Sequence, residues 1–116
     1  MNKKDKKRLF DMLTEAKRSQ KFASGKSLED LYNDDMLAYA IVRCLEIIGE
    51  AASTATEETR QLYPNLEWRK MIGMRNRIVH EYGNIDITIV WNTVEDIIPT
   101  LIDDLQQIIS FDEKQT

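Results

Sequence analysis

The sequence predicts an all-α protein folded as an up-and-down bundle of four to five helices, and three observations carry that expectation. Apolar residues recur three and four apart along most of the chain, the period of one helix face. No segment sustains the apolar–polar alternation of a half-buried strand. Capping and turn residues fall between the periodic stretches and leave only brief loops, which favours antiparallel neighbours. A chain of 116 residues fits one domain, spanning 1–116, and can bury a real core.

The first helix covers Lys3 to Ala23, with Leu9, Phe10, Leu13 and Ala16 at helical spacing. Gly25 and Ser27 break it, and Ser27-Leu28-Glu29-Asp30 resembles a capping box with Asp in the usual Glu position. A long helix then runs from Asp34 to Thr54. Its stripe is Leu37, Ile41, Cys44, Leu45, Ile48, Ala51 and Ala52, and the small Gly49 and Ala52 admit a close neighbour. A short connector starts within Thr54–Glu58, and Tyr63-Pro64-Asn65 forms a turn. The period predicts one helix from Leu66 to His80, buried through Trp68, Met71, Ile72 and Val79 and ended by Gly83-Asn84. Asp86 caps the last helix, whose stripe runs from Ile89 and Val90 through Val94, Ile97, Ile98, Leu101 and Leu105 to Ile108 and Ile109. Pro99 bends that helix without ending it, because the apolar period continues past it. Residues 112–116 read as a frayed tail.

Composition bounds the function. The 42% hydrophobic and 31% charged content is that of a globular chain, and no apolar run approaches the roughly 20 residues of a membrane span. Cys44 is alone, which excludes an intrachain disulfide and fits a reducing cytoplasm. A net charge of -4 speaks against a general nucleic-acid coating protein but leaves room for a local basic site. One His, one Cys and no paired-ligand spacing give no metal site, and the four scattered glycines form no phosphate loop, so no cofactor is expected.

The chemistry concentrates in Gly73-Met74-Arg75-Asn76-Arg77-Ile78-Val79-His80-Glu81-Tyr82, which holds the only histidine. Histidine is the side chain whose ordinary pKa suits proton transfer near neutrality. From Trp68 to His80 there are four cations, Arg69, Lys70, Arg75 and Arg77, and no acid, a pattern that favours a phosphate. Plainer readings stand beside this one: a lone His near a helix C-terminus serves the helix dipole, and a run of cations is a solvated face. On an ideal helix Asn76 shares a face with His80 and would orient the imidazole. Arg75 and His80 would diverge by about 140° unless the helix distorts. RNA cleavage through the 2′-hydroxyl needs both a base and an acid. A single-His chain supplies both as a two-fold dimer.

Arg75-Asn76-x-x-x-His80-x-Tyr82 resembles the Arg-x4-His-x-Tyr signature of the HEPN superfamily, in its HepT-like toxin branch. Leu45-Glu46-Ile47-Ile48-Gly49-Glu50-Ala51, Tyr63-Pro64-x-x-Glu67-Trp68, Met71-Ile72-Gly73-Met74-Arg75-Asn76 and the Val90-Trp91 to Ile98-Pro99 stretch resemble its other landmarks. The resemblance spans about residues 5 to 110. It implies a HEPN-like helical homodimer and a metal-independent endoribonuclease, with Arg75 and His80 catalytic in a cleft at the dimer interface and Asn76 supporting them. It implies the toxin of a type VII-like toxin–antitoxin pair, whose partner is a nucleotidyltransferase of the minimal (MNT) type. That partner transfers AMP to the signature tyrosine in some pairs, here Tyr82. Arg69, Lys70 and Arg77 are candidate RNA contacts beside Arg75. The run Lys3, Lys4, Lys6, Lys7, Arg8 reads as a solvated or disordered end rather than an RNA contact. Glu46 and Glu50 read as surface partners for a cation one turn away, against the alternative that a carboxylate here orients Arg75. Two other functions stay open: a non-catalytic nucleotide- or substrate-binding partner of a nucleotidyltransferase, and a plain dimeric scaffold.

Overall fold

The computed structural model describes residues 1–80 and 83–115, and among these it is helical, as the sequence predicts. Helix α1 (Lys3–Ala23) is capped by the Asn2 side chain, which accepts from the Asp5 N–H at 2.8 Å. The basic run is therefore ordered helix from Lys3 onward, and part of it is paired: Lys6 with Asp112, Lys7 with Asp11 and Arg8 with Asp5. The Ser27 box forms in full, with bonds of 3.2 and 2.8 Å, and starts the short α2 (Leu28–Asn33).

Helix α3 (Asp35–Thr54) is the central element and packs against α1, α2, α5, α6 and α7. Asp34 caps its N-terminus. At its other end Arg60, from α4 (Glu57–Leu62), donates to the carbonyls of Ala52 and Ser53, which lack partners within the helix. Arg60 also lies over the Trp68 ring, 6.0 Å from its centroid. The core joins Leu9, Met12 and Ala16 of α1 to Ile41, Leu45 and Ile48 of α3 and to Val90, Ile98 and Leu105 of the last helix, all fully buried. Cys44 belongs to this core region, where burial, aided by the nearby Glu15 carboxylate, pushes its thiol up to about 11.

Two sequence expectations change. The single helix expected over Leu66–His80 is two short ones, α5 (Trp68–Ile72) and α6 (Met74–Ile78), separated at Gly73. Its buried side is Trp68, Met71, Met74 and Ile78, with Ile72 and Val79 only partly covered. The chain leaves the helix at Val79 (φ -103°, ψ 119°), pairs Val79 with Ile85 in an isolated antiparallel bridge, and reverses through Gly83 at φ 75°. The second change is at the C-terminus. Residues up to Gln115 are helical, and Asp112, nearly buried, lies 3.3 Å from Lys6, so 112–115 is not frayed.

The last helix is continuous but not uniform. It comprises α7 (Ile87–Asn92), a π-helical turn (Thr93–Ile97) and α8 (Ile98–Gln115). Pro99 has no N–H to donate and its ring crowds the carbonyl four residues back. The widened turn, in which Ile98 N–H reaches the Thr93 carbonyl, lies immediately before it and lets helical backbone continue past the proline.

Two contacts fix how the helices meet. A Cβ on Gly49 would stand 2.9 Å from the Met71 carbonyl oxygen, so α5 backbone lies directly on α3. Gly49→Ala should lower stability by about 1–3 kcal/mol in chemical denaturation, because backbone must move. Asp5 is fully buried and accepts from Thr56 N and Oγ1, Thr59 Oγ1 and Arg8. Burial alone would push this carboxyl up, but those hydrogen bonds overcome it and bring it down to about 2. A group depressed in the folded state stabilises above its ordinary pKa and loses that contribution as pH falls toward the depressed value. Stability should therefore decline by on the order of 2 kcal/mol between about pH 4 and pH 2 from this group, and Asp5→Asn should flatten that segment of a pH titration of unfolding.

Candidate active site

Arg75 projects from α6 and His80 from the extended strand-like segment just after it. The ideal-helix angle between the two does not apply, since His80 lies two residues beyond the last helical position. Each side chain is gripped by a carboxylate from another part of the chain. Arg75 Nε donates to Glu46 Oε2 of α3 at 3.1 Å. His80 Nε2 lies 3.3 Å from Asp86 Oδ2, at the start of α7. Both remain more than half exposed, at 58% and 54% of the side chain.

The Arg75 pairing adjoins the Gly49 contact. One turn back on α3 from Gly49 is Glu46, and Arg75 lies in the first turn of α6, just past the Gly73 break after Met71, so the Gly49–Met71 contact lies close to the Glu46–Arg75 pair. Because Glu46 binds Nε, the terminal guanidinium fork carries no protein ion pair among the described residues. A two-pronged donor suits a phosphate. Glu50 instead pairs with Arg43 at 3.3 Å. Glu50 thus stays on the surface but pairs with a cation two turns away rather than one, while Glu46 reaches across to Arg75.

The His80 pairing depends on chain reversal. His80 N–H donates to the Asn84 carbonyl at 2.7 Å, and Asp86 N–H donates to the Ile78 carbonyl at 2.8 Å. These bonds tie Ile78 and His80 to Asn84 and Asp86 and bring Asp86 beside the imidazole. Asp86 also caps α7, its Oδ1 accepting from Ile89 N–H at 3.1 Å. That bond is the main reason its carboxyl titrates below the ordinary range, burial opposing it and His80 adding to it. Sequence reasoning gave Asp86 only its capping role. The available sign that residues 80 and 86 meet was Gly83, midway between them, where the chain adopts φ 75°.

The remaining candidates divide. Asn76 is exposed, and no hydrogen bond joins it to His80, because the helix ends before the shared face can form. Arg69 and Arg77 are exposed and have no ion pair among the described residues. Lys70 lies 3.2 Å from Glu67 and lines a depression that also holds Asp96 and Asp104, so it faces acids. Tyr82 lies outside the described residues. No group of three or more His, Cys, Asp or Glu that could hold a metal occurs among the described residues, and no helix there is long and apolar enough to cross a membrane.

The comparisons agree with the motif. The family model described as ribonuclease HepT-like matches residues 12–108. "Putative RNase MJ1380" of Methanocaldococcus jannaschii is 35% identical over 102 residues, covering 87% of this chain and 94% of the relative. "Probable ribonuclease HepT" of Thermococcus cleftensis is 33% identical over 101 residues, 87% of this chain and 92% of its own. "Putative RNase TTE0752" of Caldanaerobacter subterraneus is 38% identical over 85 residues, 73% and 76% of the two chains. No solved structure matches the chain. The family model and these relatives each span most of the chain, and the chain belongs to the HepT-like ribonuclease family of the HEPN superfamily.

Proposed function

We propose that the chain is a metal-independent endoribonuclease, the toxin of a toxin–antitoxin pair, whose site is completed by a second copy. The observation that carries this reading is the pairing of each signature residue with its own carboxylate, which leaves Arg75 and His80 exposed and poised. His80 takes the proton of an RNA 2′-hydroxyl, and the oxygen attacks the adjacent phosphorus. A 2′-O–P bond forms and the P–O5′ bond breaks, leaving a cyclic phosphate. The 5′-oxygen takes a proton from the second copy's imidazole, since one His cannot be base and acid in the same step. Arg75 stabilises the charge that gathers on the phosphorane oxygens.

The outer face of α3 supports a two-copy site. Met36 is 85% exposed and Tyr39 60%, and both sit on the stripe that continues through Arg43 and Glu46. Exposed apolar residues at three-to-four spacing suit a matching helix face. A symmetric contact there would lie alongside Arg75 on both copies.

A toxin also needs a way to be held inactive. In the proposed pair a nucleotidyltransferase antitoxin adds AMP to Tyr82, two residues from His80, bringing negative charge and bulk to a site that receives phosphate. Arg69 and Arg77 extend the cationic surface toward RNA.

RNA incubated with the purified chain in EDTA should be cleaved, and His80→Ala should lower the rate by at least about 10²-fold with the fold intact by circular dichroism. Absence of cleavage by the parent across several RNA classes would favour the non-catalytic binding partner instead. Met36→Glu with Tyr39→Glu should yield monomers in sedimentation and lose cleavage together with dimerisation; active monomers would refute the shared site.

A further inference from the structure

The chain holds one carboxylate with two duties. Asp86 Oδ1 caps α7 by accepting from Ile89, while Oδ2 faces His80 Nε2 at 3.3 Å. A cap needs only the first of these. Ser or Asn would satisfy the helix equally well, but neither brings a charged oxygen to the imidazole. The carboxylate is also braced from outside. Tyr32 of α2 shares a 2.7 Å hydrogen bond with Thr88 Oγ1 in the first turn of α7, and Asp86 N–H is tied to the Ile78 carbonyl. The imidazole has a fixed backbone too, through His80 N–H to Asn84 and Gly83 N–H to the His80 carbonyl. Both ends of the His80–Asp86 contact are therefore built on hydrogen-bonded backbone.

We propose that Asp86 is the positioning residue for His80, holding the ring through Nε2 so that Nδ1 is the nitrogen that meets the RNA. A neutral imidazole has one N–H and one lone-pair nitrogen, and which is which is set by the partner of the other. A carboxylate only accepts, so Nε2 carries the hydrogen and Nδ1 keeps the lone pair. Nδ1 then takes the 2′-hydroxyl proton, and the imidazolium formed has its Nε2–H already facing a negative charge. On the second copy the same contact keeps Nε2–H in place while Nδ1–H is delivered to the leaving oxygen. One contact thus serves both proton transfers without the ring turning over.

The kinetic part rests on the ribonuclease reading above; the geometric part does not. The chain's single histidine makes the test clean, because a long-range ¹H–¹⁵N spectrum of the full-length protein shows one imidazole. At alkaline pH, where an ordinary imidazole is neutral, the parent should show the Nε2–H form alone. Asp86→Asn should show a mixture of the two forms. In the cleavage assay Asp86→Asn should lower kcat by at least about tenfold with KM little changed. Asp86→Ser, which keeps the cap and is too short to reach the ring, should do the same. Thermal melts of both variants should stay near the parent, which separates positioning from folding. An Nδ1–H form in the parent, an unchanged spectrum in Asp86→Asn, or parental kcat in both variants would overturn the proposal. If the parent cleaves no RNA, the ribonuclease reading falls, and the spectra alone decide whether Asp86 holds the ring.

Discussion

The close approach of α5 to α3 at Gly49 is the constraint on which the site depends. With no side chain at that position, the Met71 carbonyl rests on the central helix, and α6 follows immediately past Gly73. Glu46 and Arg75 pair close to that contact. A bulkier residue at 49 would lift α5 and α6 together and draw Arg75 away from its carboxylate. Stability and site geometry are therefore controlled by one glycine.

Electrostatics resolve what the overall charge leaves open. The chain carries -4, yet Arg75 and His80 are each matched with one dedicated carboxylate rather than with the acidic exterior at large. Among the described residues, Glu46 engages Nε of the guanidinium and no ion pair occupies the fork. Among the same residues, Asp86 engages one imidazole nitrogen and no hydrogen bond occupies the other. Acids that orient a cation from behind do not cancel it toward an incoming phosphate. Lys70, which shares one depression with its acid partner Glu67, shows the ordinary alternative of a pair that neutralises itself.

The helices were legible in the sequence wherever a single period or cap decided them. The Ser27 box, the Asp86 cap, the close-packing Gly49 and the passage of the last helix through Pro99 are local rules, and each appears. The segment after Leu66 was not, because its apolar spacing fits one helix while Gly73 and the residues after Ile78 end two. The site inherits that difference. A helical reading aligned Asn76 with His80, whereas the observed reversal exchanges Asn76 for Asp86. Glu46 was visible as a candidate, but its reach to Arg75 spans 29 residues of sequence, and periodicity within one helix carries no information about such a pair. Lys70 looked like part of a basic run because its acid, Glu67, lies just outside the window that lacks acids.

The π-helical turn at Thr93–Ile97 has a consequence for where the site points. A π turn amounts to one additional residue in an α-helix, and one residue corresponds to about 100° of rotation about the axis. The turn therefore sets the azimuth of everything upstream relative to α8. It lets one continuous helix present α7 to α2 and α3, and α8 to α1. Without that extra residue, α7 and Asp86 at its start, which holds His80, would swing around the helix axis by a quarter turn or more. The proline-driven irregularity in the last helix thus acts as an angular spacer, indexing the histidine against the central helix that bears Glu46.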